Sequence, residues 1–345
     1  MKKFLRRLTL ATLVLTLTAF AGLACWGSDQ LLHPNRRSLQ DYHREILRAP
    51  SDFGLRIQSY TGAEGTPCLL VTPSPRPGPA NKGRMVRDAL AKRGVKIGPW
   101  GEIRGTIVLL HGFCGRKEDN LPIAERLCAV GFRCILPDLP GHGENPAASA
   151  TFGHRENSLP ADLLDDAAKR FSFAPAPAAL FGISQGGAIA LQAAGRDDHR
   201  WSSIVSVASF ASLDQPVGRA AGAIHQLACI APFASGACAT GVFCREGFTP
   251  SDVRPIDAAK HIEIPALIVH GDQDEFIPVS SGKAIYDALP GPRKAFRVVH
   301  TAGHGNVLAT GSNELYADLC RFYLDACKAP VLADGKTCRA QVKQR

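Results

Sequence analysis

The pattern of apolar positions divides the chain near residue 105. Downstream of Gly105, short apolar runs alternate with segments of helical spacing, which is how a parallel sheet with crossover helices reads in sequence. The runs at 106–110, 133–137, 178–181, 203–207, 266–269 and 294–300 are predicted strands. Residues 120–130 and 186–194 have helical spacing, the second stopping at Gly195. Ser312 can cap a last helix carrying Leu315, Leu319, Phe322 and Ala326 on one face. Residues 214–254 break the alternation. They are rich in Ala, Gly and Cys with Phe233, Phe243 and Phe248 scattered among them, and such an insertion reads as a lid over a site rather than as a separate domain. No internal repeat is present.

Upstream of residue 105 the pattern is different. Residues 54–60 and 67–72 are strand-like and separated by a Gly-rich turn, as in a hairpin. Pro73, Pro75, Pro77 and Pro79 then interrupt the chain, and residues 84–93 have helix-forming composition. Lys82, Arg84, Arg87, Lys92, Arg93 and Lys96 make that part of the insertion at 76–104 basic. It is read either as a solvated helix face or as a contact with a membrane surface or an acidic substrate. Residues 25–54 form a polar amino-terminal extension with a helix expected at 38–47, so that the main domain covers 55–345.

The first 24 residues read as a secretory signal peptide. Lys2, Lys3, Arg6 and Arg7 precede an apolar stretch at 8–23, and Gly22-Leu23-Ala24 offers a small-x-small cleavage site before Cys25. A retained anchor helix is the competing reading, and lipidation of Cys25 is a third. Export to the periplasm or beyond would explain ten of the eleven cysteines as a largely disulfide-bonded set, Cys25 being set aside. On this reading Cys327 could pair with Cys338, and two of Cys229, Cys238 and Cys244 with each other. Cys320 and Cys327 stand too far apart along one helix to bond.

Composition narrows the function classes. A chain of 345 residues at 45% hydrophobic and 21% charged can bury a sizeable core and is too apolar to be disordered. The net charge of +9 includes four cations of the leader, and the weak surplus that remains calls for no nucleic-acid partner.

Gly182-Ile183-Ser184-Gln185-Gly186 fits G-x-S-x-G between a predicted strand and a predicted helix. A sharp turn there would present the Ser184 hydroxyl above the sheet, with Gly182 and Gly186 needed because side chains would collide with neighbouring backbone. A serine hydroxyl requires a base within hydrogen-bond reach and a third group to orient that base. His304 follows the last predicted strand and is favoured as base over His300. Asp274 lies deeper in the loop after the preceding strand and is favoured as the acid over Asp272, a turn residue satisfying local backbone donors. The oxyanion of a tetrahedral intermediate needs two donors, for which the backbone N–H groups of Gln185 and Phe113 are the candidates. His111 is read as holding the Phe113 loop. The histidines near Asp138 and Glu144 match no zinc spacing, so neither metal nor cofactor is implied.

Residues 105–194 and 265–307 resemble the α/β-hydrolase family, specifically its lipase- and esterase-like serine hydrolases. The resemblance lies in His111-Gly112-Phe113, in Asp138-Leu139-Pro140-Gly141-His142-Gly143, in the Ser184 elbow, in His270-Gly271 through Asp274 to Pro278, and in Gly303-His304. It implies an α/β-hydrolase fold, a mostly parallel central sheet flanked by helices with a lid insertion. It also implies hydrolysis of a small-molecule or lipid-like carboxylic ester, with the triad in the chain order Ser184, Asp274, His304. A peptidase or thioesterase of the same fold is the alternative, and a non-catalytic binding protein on this fold a weaker one.

Overall fold

A computed structural model describes residues 1–223 and 230–328. Eight strands form one sheet: β1 (Leu55–Thr61), β2 (Pro67–Pro73), β3 (Gly105–Leu110), β4 (Phe132–Pro137), β5 (Ala178–Ile183), β6 (Ser203–Val207), β7 (Ala266–Gly271) and β8 (Lys294–Val299). The helices are α1 (Lys2–Leu32), α2 (Asp41–Arg48), α3 (Lys82–Lys92), α4 (Leu121–Ala129), α5 (Leu159–Arg170), α6 (Gln185–Arg196), α7 (Asp214–Ala223), α8 (Ala231–Glu246), α9 (Pro255–Ala259), α10 (Val279–Ala288) and α11 (Val307–Lys328). Strand order is β1-β2-β4-β3-β5-β6-β7-β8, with β2 antiparallel to β1 and β4 and every other pair parallel.

Helices on both faces explain why the central strands read as unbroken apolar runs. Ile107 and Leu109 of β3 pack on one side in a core with Leu127 of α4 and Tyr323 of α11, whereas Val108 and Leu110 pack on the other with Ile189 and Leu191 of α6. Every predicted strand forms at its expected place within a few residues. Helix α6, however, does not stop at Gly195 but continues to Arg196. A Cβ at Gly195 would lie 2.4 Å from the Ala258 carbonyl, so this glycine admits the close approach of α9 and ends nothing. Ser312 does mark a helix start, because its φ of 49° breaks the backbone inside α11 and the regular helix runs on from it.

One sequence reading needs correction. The nine cysteines among the described residues are all free, so the expected disulfide set is absent there. Cys68, Cys128, Cys134 and Cys320 are buried in the core and serve as small apolar side chains. Cys238 and Cys244 share α8 six residues apart, about 9 Å along the axis, which is too far for a bond. Cys229 and Cys338 lie outside the described residues. The basic segment around α3 keeps Lys82, Lys92 and Lys96 exposed, as a solvated helix face would, while three of its arginines are engaged locally. Arg84 donates to the carbonyls of Gly78 and Pro79, Arg87 to those of Ala129 and Gly98, and Arg93 pairs with Glu314 and Asp318.

Candidate active site

Ser184 stands at the tip of β5. Ser184 has φ 52° and ψ −115°, a strained conformation held by its N–H donating to the Val207 carbonyl at 2.8 Å and by Ser209 Oγ donating to its carbonyl at 3.0 Å. The two flanking glycines are sterically required. A Cβ at Gly182 would come within 2.2 Å of Gly186 backbone, and one at Gly186 within 2.2 Å of the Leu110 carbonyl. Ser184 thus stands at the amino-terminal, positive end of α6.

Loops after β7 and β8 bring the two partners to it. His304 Nε2 lies 3.0 Å from Ser184 Oγ, and His304 Nδ1 lies 2.8 Å from Asp274 Oδ2. A carboxylate only accepts, so Nδ1 carries the proton and Nε2 is left to accept from the serine hydroxyl. Asp274 is buried. Burial alone would raise its pKa, but hydrogen bonds from His270, from His304 and from the Ile277 N–H outweigh it and hold the carboxyl well below its usual range. Its Oδ1 accepts from the backbone N–H of Ile277 at 2.7 Å and of Phe276 at 3.1 Å.

The disfavoured residues form a separate pair. His300 Nδ1 meets Asp272 Oδ2 at 2.8 Å, and Asp272 Oδ1 accepts the Thr301 N–H at 2.8 Å, the local turn role expected of it. His300 is largely exposed and takes no part in the Ser184 cluster.

The loop after β3 carries Phe113 to the other side of Ser184. A Cβ at Gly112 would sit 3.6 Å from Ser184 Cβ, so the loop backbone comes close to Ser184. His111 fixes this loop as expected: its Nδ1 donates to the Gly112 carbonyl at 2.8 Å and its Nε2 accepts the Leu139 N–H at 3.0 Å. Full burial lowers its pKa to about 4, which keeps the ring neutral and this donor–acceptor pattern intact. Lys117 ties the end of the loop to β4 through Asp138, with Nζ at 2.8 Å and backbone N–H at 2.7 Å, and also pairs with Glu144. The carboxylates of Asp138 and Glu144 are thus both engaged by this lysine.

Sequence reasoning did not find the role of the amino-terminal extension. Arg36 donates to the carbonyls of Gly143, Asn145 and Ala147, and His43 Nε2 meets Asp119 Oδ1 at 3.1 Å, so residues 33–48 strap down the loops after β3 and β4. No motif marks these contacts, because each uses one cation or one ring against main chain or a single carboxylate.

Above Ser184 lies an apolar cavity of about 330 Å³. Phe113, Phe152 and Phe210 line it together with Ser184, Phe113 and Phe152 being stacked at 5.6 Å, and Val217 of α7 and Cys238 of α8 line it as well. The segment expected to be a lid therefore does border the site. The Gln185 side-chain amide is buried at the cavity wall with no hydrogen-bond partner among the described residues.

Comparison with known proteins agrees with this architecture. Residues 105–227 match the α/β hydrolase fold family. The chain has the α/β-hydrolase fold. It is 28% identical over 275 residues to the pimeloyl-[acyl-carrier protein] methyl ester esterase of Neisseria meningitidis, covering 68% of this chain and 83% of that protein. An esterase of Pyrococcus furiosus superposes with a TM-score of 0.61 at 14% identity, over 85% of this chain and 98% of its own. A membrane phospholipase A described as a bacterial virulence factor superposes with a TM-score of 0.51 at 18% identity, over 95% and 99% of the two chains. The chain thus shares its fold with these solved structures and has an ester hydrolase among its relatives.

Proposed function

We propose that the chain is a serine hydrolase of carboxylic esters working through an acyl-enzyme. The observation that carries this reading is the run of contacts from Ser184 Oγ to His304 at 3.0 Å and on to Asp274 at 2.8 Å, at the floor of an apolar cavity. Ser184 Oγ attacks the ester carbonyl while its proton passes to His304 Nε2. The oxyanion that forms is met by the N–H groups of Phe113 and Gln185. Collapse expels the alcohol, which takes the proton back from His304, and the Ser184 acyl ester remains. A water, deprotonated by His304, then attacks that ester and releases the carboxylic acid and the free serine. Asp274 orients the ring and stabilises its charged form throughout.

The cavity favours an acyl group over a peptide. Its described lining is mostly aromatic and aliphatic, carries no charged side chain, and has Gln30 and Gln185 as its only amides. The esterase and phospholipase relatives support the same substrate class. A panel of p-nitrophenyl acyl esters beside peptide and acyl-thioester substrates tests it. Ester turnover that is lost in Ser184→Ala is expected, whereas faster turnover of the peptide or the thioester would replace the ester reading by that alternative.

A further inference from the structure

Part of the lining of the cavity over Ser184 comes from the amino-terminal helix: Leu23, Trp26, Gly27, Gln30 and Leu31 of α1 line it together with residues of α7 and α8. The two halves of this helix have opposite surroundings. Its second half is built into the domain, with Ala24, Ser28 and Leu32 buried. Contact with α8 is close: a Cβ at Gly27 would lie 3.1 Å from Cys238 Cβ, and one at Gly241 would lie 2.1 Å from the Ala24 carbonyl.

The first half touches little. Leu5, Leu8, Leu10, Leu13, Leu15 and Leu17 are each more than half exposed, on every side of the helix. A helix apolar all round is stable only inside a core or a bilayer. Its four threonines suit the bilayer, because the hydroxyls of Thr9, Thr12, Thr16 and Thr18 all donate to the carbonyl one turn back and leave no donor unpaired. The rise over residues 4–23 is about 30 Å, the thickness of a hydrocarbon core, and Arg6 and Arg7 are near enough to the end to reach the headgroups.

We propose that α1 is retained, spans a phospholipid bilayer over residues 4–23, and walls the pocket with the turns that emerge from it, so that the acyl chain of a membrane lipid ester enters directly from the bilayer. The substrate part of this proposal rests on the ester-hydrolase reading of Ser184. Phe20 packs edge-on against Phe233 at 5.2 Å, which sets the start of α8 beside the last apolar turn of α1. Leu23 and Ala234, the pocket residues next to that contact, therefore mark the end of the cavity nearest the membrane. Trp26, 56% exposed, falls at headgroup level, where tryptophan is favoured. Lys2, Lys3, Arg6 and Arg7 orient the amino terminus to the cytoplasm and the hydrolase domain to the opposite side. Cleavage after Ala24 would cut α1 where it is packed on α8 and remove Leu23 from the wall.

The test uses the full chain in bacterial membranes. Its intact mass should include residues 1–24, and the protein should resist carbonate extraction. A product beginning at Cys25, or a soluble oligomer that hides α1 against a second copy, overturns the proposal. The purified chain is then assayed with p-nitrophenyl butyrate, p-nitrophenyl dodecanoate and phosphatidylcholine vesicles. Leu23→Trp should lower the dodecanoate-to-butyrate ratio of kcat/KM at least tenfold and slow fatty-acid release from vesicles. Cys25→Trp, on an exposed position that does not line the pocket, should keep the wild-type ratio. Ala234→Trp blocks the same end from α8 and replaces Leu23→Trp if that variant fails to fold. Equal ratios in the pocket and control variants overturn the wall role. Wild-type protein that turns over neither ester removes the hydrolase reading and the lipid-substrate claim with it, while extraction and mass still decide the anchor.

Discussion

The buried His270 ring donates from Nε2 to the Ile277 carbonyl at 2.8 Å and lies 3.4 Å from Asp274 Oδ2. It closes the acid loop on itself, since Ile277 N–H in turn donates to Asp274 Oδ1. His270 is therefore a positioning residue for the carboxylate. His270→Leu should lower kcat, because displacement of a reacting group by about 1 Å can cost on the order of 10²-fold. His270→Gln, which keeps a donor, should recover part of the loss. Steady-state ester kinetics on both variants would settle this, and equal kcat values accompanied by a drop in Tm would reduce the histidine to a packing role.

Much of this architecture was legible in the sequence, for physical reasons that differ by element. β3 and β6 could be found because burial on both faces makes an apolar run. The Ser184 elbow could be found because its sterics permit only glycine on either side. Helices α5 and α10 went unassigned, since half of α5 faces solvent and α10 buries only Ser281, Gly282 and Ile285. The end of α6 was misplaced because a glycine required by tertiary contact looks the same in sequence as one that stops a helix. The wall formed by α1 was hidden for a related reason: the small-x-small triplet Gly22-Leu23-Ala24 fits both a cleavage site and a tight helix crossing. The cysteines misled because an exported chain and a well-packed core both favour them.

Ser184→Ala is expected to reduce kcat for ester hydrolysis by about 10^4 to 10^6. No other described residue lining the cavity offers a nucleophile beside His304. Labelling by a fluorophosphonate should disappear in the same variant, and circular dichroism should stay that of the wild type. Activity within tenfold of wild type would remove Ser184 from the mechanism.

The two carboxylate–histidine pairs provide an internal control. Asp274→Asn and His304→Ala should each lose most activity, since the first replaces the acceptor for Nδ1–H and the second removes the base. Asp272→Asn and His300→Ala alter an exposed pair outside the Ser184 cluster and should retain it. Loss confined to the second pair would exchange the assignments while leaving a serine hydrolase.

Acid should destabilise the fold through two buried histidines. Burial lowers the pKa of His111 to about 4 and that of His142, with help from the neighbouring His111, to about 3. Unfolded histidine titrates near 6.5, so between about pH 6.5 and 4 the unfolded chain binds protons that the native rings refuse. Stability therefore falls as pH is lowered through that window, and it is the native state's refusal of protons that causes the loss. Asp274 adds to the loss only at lower pH, because its folded pKa is depressed and its contribution persists until pH drops below the usual carboxylate range. Replacing His142 by a residue that cannot titrate, as in His142→Asn, should lower Tm at pH 7 through the lost contact with the Pro140 carbonyl and make Tm less dependent on pH between 6.5 and 4. Thermal unfolding of wild type and variant at pH 7, 5.5 and 4 measures this directly. Parallel curves for the two proteins would show that His142 is not among the groups that couple folding to pH.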